Sequence, residues 1–385
     1  MAEISRRNVL GGVAMGGLLW NTAALSTESQ QPPYGPAPAP LDGPELPSFR
    51  YPLGAQKTEQ FNGGTAKEAN VTGFPVSEKL AGVYMTLEPG ALRELHWHAN
   101  AAEWAYVIEG NCRVTTIDPA GQWEIVDFGP GDIWYFPRGH GHSIQGLGPG
   151  TCTFLLVFDN GYFSEFGTFS ISDWVGHTPP EVLAKTFGVP ATTFADFPKK
   201  EVYINTGPVP PPLPLQPAPD SQNAPPLTHR YRLRAAKPED FAGGTERKAS
   251  SSEFPISTTM TGALLVIKPG GVREPHWHPH AAEWQYYLKG SARMTVFGSH
   301  GRALTDEFGV GDVGYVPQGY GHYIENTGSD ELHLLAVFNN GTYEAISLTG
   351  WMAANPDLLL ATNFKVPQAT FANFPKGPVV IAEQG

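Results

Sequence analysis

His96-Trp97-His98-Ala99-Asn100-Ala101-Ala102-Glu103 is answered 180 residues later by His276-Trp277-His278-Pro279-His280-Ala281-Ala282-Glu283. Residues two apart on a strand face the same side, so the paired histidines of each octet enter one interior together. The glutamate, five positions further on, has the opposite parity, and a turn or bulge must intervene before it can join them. Outward from Glu103 come Gly110, Gly131, Pro137, Gly139 and His142, and outward from Glu283 come Gly290, Gly311, Pro317, Gly319 and His322 at the same spacing. His142 and His322 thus arrive from a later strand, beyond a Pro-Gly turn. Six of the twelve histidines fall at these matched positions. Four ionisable side chains packed together without an ion are costly to bury. His96, His98, Glu103 and His142, and separately His276, His278, Glu283 and His322, therefore read as two sets of metal ligands. Mixed nitrogen and oxygen ligation suits manganese or iron, while zinc and copper bind at least as tightly on intrinsic affinity. Three imidazoles and one carboxylate leave a six-coordinate ion with open positions for water, substrate or dioxygen.

The repeat extends well beyond the octets. Phe61, Gly63, Gly64 and Thr65 return as Phe241, Gly243, Gly244 and Thr245, and Phe74-Pro75 returns as Phe254-Pro255, all at the offset of 180. After Gly161 the offset falls to 177: Trp174 matches Trp351, and Thr193-Phe194-Ala195 matches Thr370-Phe371-Ala372. The first copy therefore carries three extra residues between Gly161 and Trp174. A register held over such a span means duplicated structure. Runs such as Ala105-Tyr106-Val107-Ile108, Arg113 to Ile117 and Thr153 to Phe158 read as strands broken by Gly or Pro turns. Thr178-Pro179-Pro180-Glu181 has a capping-box pattern with Gly188 closing the helix, and Asn355-Pro356-Asp357 opens its counterpart. The expected fold is all-β: two tandem barrels, each with a short helical appendage.

A length of 385 residues favours two domains, and 44 Gly with 37 Pro favours short strands and turns. The formal net charge of −12, with no Lys/Arg-rich block, argues against a nucleic-acid partner. Ser5-Arg6-Arg7-Asn8-Val9-Leu10 precedes a mild, Gly-rich apolar run ending at Trp20. It resembles a bacterial twin-arginine export signal. The run is well short of the roughly 20 residues that span a bilayer. Residues 1–30 are read as this signal, 31–47 as a Pro-rich arm, 48–205 as the first barrel, 206–227 as a Pro-rich linker and 228–385 as the second barrel. The expected location is periplasmic or secreted, with no membrane attachment once the signal is removed. Cys112 and Cys152, both in expected strands, could pair after export or remain buried and inert.

The two motifs of each repeat resemble those of the cupin superfamily, whose barrels are double-stranded β-helices of jelly-roll type. Arg93-Glu94-Leu95-His96-Trp97-His98, Gly131-Asp132-Ile133-Trp134-Tyr135-Phe136-Pro137 and Leu156-Val157-Phe158-Asp159-Asn160-Gly161 narrow the likeness to bicupin oxalate decarboxylases, from about residue 48 to the C-terminus. That resemblance implies two Mn2+ per chain, oxalate as substrate, dioxygen as co-catalyst, and formate and carbon dioxide as products. It implies assembly into trimers that pair as hexamers. It also implies an arginine on the substrate, here Arg93 with Arg273 as its copy. Simple alternation would turn both away from the ligand face. A glutamate on a mobile lid handles the proton, which places Glu165 of Ser164-Glu165-Phe166-Gly167-Thr168 in that role, inside the three-residue insertion. Phe166 and Gly167 depart from the family lid. So does Gly146, where the motif usually ends in Asn; the second copy keeps Asn326. Ala336 stands where family members often have a second-barrel glutamate, with Glu344 nearby as a substitute. These departures place the chemistry in the first barrel. The alternative is an oxalate oxidase, which shares ligands and substrate but releases hydrogen peroxide, or another metal-dependent cupin enzyme.

Overall fold

The computed structural model describes Gly43, residues 45–213 and residues 223–385. The expected export signal, most of the arm and residues 214–222 of the linker lie outside the described residues. The described residues belong to one compact unit.

Each repeat folds into two antiparallel sheets facing one another as a jelly-roll barrel. In the first, one sheet runs in the order Arg230–Tyr231, Ile133–Phe136, Glu103–Glu109, Cys152–Phe158, Ala81–Leu87, Gly64–Ala69 and Glu59–Phe61. The facing sheet runs Phe169–Ser170, Leu92–Trp97, Gly141–Gly146, Cys112–Ile117 and Trp123–Phe128, with Ile204–Asn205 also on Leu92–Trp97. The second barrel repeats this plan.

Alternation explains the unbroken apolar runs. Along Cys152–Phe158 every residue is buried. Phe154, Leu156 and Phe158 enter the first barrel's own core, whereas Leu155 and Val157 enter a core shared with the second repeat, alongside Leu264 and Trp284. A strand with both faces covered loses the polar half of its pattern. The shared core is interlocked. A Cβ on Gly82 would sit 2.2 Å from the Trp284 ring, and one on Gly262 would sit 2.1 Å from the Trp104 ring.

Two features depart from a simple tandem arrangement. Arg50–Tyr51, at the start of the first repeat, pairs with Val313–Val316 of the second barrel, and Arg230–Tyr231 of the second repeat pairs with Ile133–Phe136 of the first. Arg50 reinforces the exchange through two hydrogen bonds of 3.0 Å to the Asp312 carboxylate.

The appendages contain more helix than expected. Ile171–His177 and Leu348–Ala353 precede Pro180–Phe187 and Asp357–Phe364. Pro180 occupies the first turn and Gly188 closes that helix at φ 68°, as the sequence implies. Thr178 is not its cap: it ends the preceding helix, donating its hydroxyl to the Trp174 carbonyl at 2.8 Å. Cys112 and Cys152 are buried free thiols.

Candidate metal centres and lid

Strand Leu92–Trp97 carries His96 at its end, and the strand beginning at Glu103 lies in the opposite sheet, so the segment between them turns the glutamate inward. His142 pairs directly across from His96. The ligand atoms of His96, His98, Glu103 and His142 all lie within 4.8 Å of one another, as do those of His276, His278, Glu283 and His322. All eight side chains are buried.

The imidazoles are oriented from behind. His96 Nδ1 lies 2.6 Å from the Glu94 carbonyl and His142 Nδ1 lies 2.9 Å from that of His140. In the second barrel His276 and His278 do the same toward the Glu274 and Glu344 carbonyls, each at 2.7 Å. A proton held on Nδ1 leaves the Nε2 lone pair for a metal. Burial, then Arg93 and the neighbouring imidazoles, push His96 well below the ordinary histidine range. Burial and Arg273 do the same to His276. Both shifts favour the neutral ring that a metal ligand requires.

The donor sets fit a divalent ion. His98 Nε2, Glu103 Oε2, His142 Nε2 and His278 Nε2 are buried polar atoms without a hydrogen-bond partner. Such orphans are rare unless something absent from the polypeptide satisfies them. Glu103 Oε2 is 3.6 Å from His98 and 3.5 Å from His142, converging without bonding. Glu283 is drawn closer, 2.9 Å from His322 Nε2 and 3.1 Å from His278 Nε2. Burial raises its carboxyl, but these imidazoles outweigh it and hold the group well below the carboxylate range.

Arg93 faces this site. The ladder opposite it slips, with His142 against His96 but Ile144 against Arg93, so Glu94 and Leu95 on one strand oppose the single Ser143 on the other. The bulge reverses the parity that would have turned Arg93 outward. The same slip between Arg273 and His276 turns Arg273 inward. Arg93 is fully buried and donates from Nε to Glu165 Oε1 at 2.9 Å and from Nη2 to Thr168 Oγ1 at 2.8 Å. Its guanidinium lies 4.0 Å above the Tyr203 ring.

Glu165 opens a single 3-10 turn, Glu165–Gly167, capped by the Ser164 hydroxyl. Its Oε2 is 3.4 Å from His98 Nε2 and its Oε1 is 3.9 Å from His96 Nε2. Burial raises this carboxyl, but Arg93 and then His98 outweigh burial and lower it. Gly167 has open space around it and no positive φ, so nothing steric demands glycine there. Gly146 differs: a Cβ would approach the Glu88 carbonyl to 2.3 Å. Asn326, its counterpart, instead bridges the Ile267 and Asp330 carbonyls at 2.9 and 2.8 Å.

The second barrel has no equivalent turn among the described residues. Glu344 is exposed and pairs with His280 rather than entering the site. Ala336 is buried on the wall of a small cavity of about 10 Å3, room for roughly one water. Unanticipated from sequence, Glu246 lines that cavity and accepts a 3.0 Å hydrogen bond from the Tyr343 hydroxyl. Glu68 plays a different unanticipated part in the first barrel, against the lid. Comparing matched repeat positions exposes both: Ala66 faces Glu246, and Glu68 faces Lys248.

Comparison with known proteins places this geometry. The Cupin family model matches residues 52–193 and again 232–370. Oxalate decarboxylase OxdC of Bacillus subtilis is 48% identical over 295 residues, covering 77% of this chain and 76% of that protein. A probable oxalate decarboxylase of Arthroderma benhamiae is 36% identical over 329 residues, covering 84% and 80%. A solved structure of the Bacillus subtilis oxalate decarboxylase, from work on its Mn(II) centres, superposes with a TM-score of 0.85 at 41% identity over 89% of this chain and 91% of that one. Two matched barrels, two complete ligand sets and this likeness along most of the chain together mean that the protein belongs to the cupin family, among its bicupin oxalate decarboxylases.

Proposed function

We propose that this protein is a manganese-dependent oxalate decarboxylase that converts oxalate to formate and carbon dioxide at the first barrel. The observation that carries the reading is Glu165, fully buried, held by Arg93 at 2.9 Å and within 3.4 Å of a ligand imidazole. His96, His98, Glu103 and His142 would hold Mn2+, with His276, His278, Glu283 and His322 holding a second ion. When bound, the ion supplies positive charge to anchor a carboxylate and, with dioxygen as co-catalyst, the redox capacity for carbon–carbon cleavage.

The chain's own residues do the rest. Arg93 exchanges its Glu165 partner for a substrate carboxylate, to which a guanidinium offers two parallel N–H donors. Glu165, ionised in its present setting, takes the proton of hydrogen oxalate. After carbon dioxide leaves, Glu165 returns that proton to the remaining carbon. Hydrogen oxalate thus yields carbon dioxide and formate with atoms and charge balanced. The enclosed setting keeps solvent from the proton during transfer. Arg273 lies at the equivalent place in the second barrel, but the small cavity and the outward Glu344 support a supporting or structural ion there.

General acid–base groups typically contribute about 10²- to 10⁴-fold, so Glu165→Ala should lower formate production by that order while manganese content stays at wild-type level. Peroxide per oxalate consumed should rise. Near-normal formate output from the variant would contradict the assignment.

Two further parts of the reading concern the cell and the assembly. Arg6-Arg7 support export of a folded, metal-loaded chain, and replacing both with Lys should strand the precursor in the cytoplasm. Trp174, Phe187, Trp351 and Leu358 are 65%, 62%, 58% and 66% exposed, which supports a homo-oligomer, a trimer or hexamer, that covers them. Light scattering that finds only monomer would contradict this.

A further inference from the structure

The three-residue insertion that carries Glu165 is anchored on both of its sides by residues that the chemistry itself does not use. On one side is Glu68, on strand Gly64–Ala69. Its Oε1 accepts the Glu165 backbone N–H at 2.7 Å, and its Oε2 accepts the Ser164 hydroxyl at 3.1 Å. Asn70 Nδ2 steadies the same Oε2 at 2.8 Å. On the other side is Phe166, the residue next to the proposed proton donor. Its ring stacks on Phe61 at 6.2 Å and leans on Tyr203 at 5.7 Å, and Phe61 and Tyr203 themselves meet at 4.4 Å. Tyr203 in turn lies beneath the Arg93 guanidinium. One aromatic platform therefore supports both the lid and the arginine that grips Glu165.

The second barrel supplies the internal contrast. Its strand Gly244–Ala249 has Lys248 in place of Glu68, and Val380 stands in place of Tyr203, so that Phe241, the counterpart of Phe61, has no second ring to complete the platform. There the glutamate of the corresponding loop, Glu344, points to solvent. The barrel with the carboxylate and the aromatic platform has its acid turned in, and the barrel without them has its acid turned out.

We propose that Phe166 and Glu68 are positioning residues that together latch Glu165 over the first set of metal ligands. The proposal rests on the reading of Glu165 as proton donor, but the latch itself has a readout independent of turnover. Phe166 is 39% exposed and lies outside the buried core, touching it only through Phe61 and Tyr203. In the manganese-loaded, full-length enzyme, amide hydrogen exchange of a peptide spanning residues 162–170 should accelerate roughly three- to tenfold in Phe166→Ala. Phe166→Tyr, which keeps the ring, should restore the wild-type rate. Glu68→Ala removes two acceptors and should accelerate exchange about tenfold or more, with Glu68→Gln, which keeps one, falling between. In both alanine variants kcat for formate should drop with KM unchanged or lower, because an unlatched Glu165 frees Arg93 for substrate. Manganese content should stay at wild-type level, which a merely structural loss would not allow. Unchanged exchange in both alanine variants overturns the latch. Faster exchange with an unaltered formate-to-peroxide ratio upholds the latch and instead removes Glu165 from the chemistry.

Discussion

Glu68 and Glu165 show how differently two neighbouring carboxylates behave when only one has a cation. Arg93 lowers Glu165, whereas burial pushes Glu68 up to about 7 despite the hydrogen bonds from Glu165 and Ser164. The sign for stability follows. A carboxyl whose folded pKa exceeds its unfolded value binds its proton more tightly when folded, so its contribution is complete below the unfolded value near 4.5 and is lost as pH rises through about 7. A shift of this size corresponds to about 3 kcal/mol. Wild type should therefore lose roughly that much stability relative to Glu68→Gln between acid and mildly alkaline pH, by denaturant unfolding at fixed manganese. A pH-independent gap would show that Glu68 is ionised throughout. Glu344→Ala, by contrast, removes an exposed carboxylate and should leave formate production within about twofold of wild type, since exposed ion pairs contribute little. The metal ligands were legible in the sequence because their spacing repeats. Glu68 and Glu246 left only a faint sign, a mismatch between repeats, because a single inward glutamate on a strand looks like any solvated one until the neighbouring loops are folded against it.

Among the elements, the strand Leu92–Trp97 does the most to build the site, since it carries Arg93, His96 and the bulge between them. Period-two alternation read from sequence gave the correct face for His96 and the wrong one for Arg93. The cause is the one-residue slip, which leaves no mark in composition. The 3-10 turn Glu165–Gly167 was legible as an interruption of the repeat and as the place of the family lid; its capping by Ser164 emerged only with the fold. Metal loading belongs to this scale, because each ligand set draws on both sheets of its barrel. Elemental analysis should find close to two manganese per chain after expression in manganese-rich medium. His96→Ala should remove about one equivalent and abolish formate production, because the ligands and the folded barrel are coupled. Fewer than one transition metal per chain in the wild type would contradict the two-site reading.

At the scale of the whole molecule, the duplication explains the architecture, and the reciprocal packing explains why the barrels form one unit. Trp104 lies over Gly262 and Trp284 over Gly82, with each glycine leaving the space that the partner's indole fills. Gly82→Ala or Gly262→Ala would force a buried ring to move and should cost roughly 1–3 kcal/mol, read as a lower Tm with the metal ligands untouched. An unchanged Tm would mean that the interface adjusts freely. The tandem order was legible from the constant offset, but the exchange of Arg50–Tyr51 and Arg230–Tyr231 between barrels was not, because two-residue strands carry no periodicity. The most direct test of the whole account is the product balance of the manganese-loaded wild-type enzyme supplied with oxalate in air, with formate and hydrogen peroxide quantified together. One formate per oxalate consumed, with peroxide a minor product, is the expected result; stoichiometric peroxide without formate, or no consumption of oxalate, would contradict it.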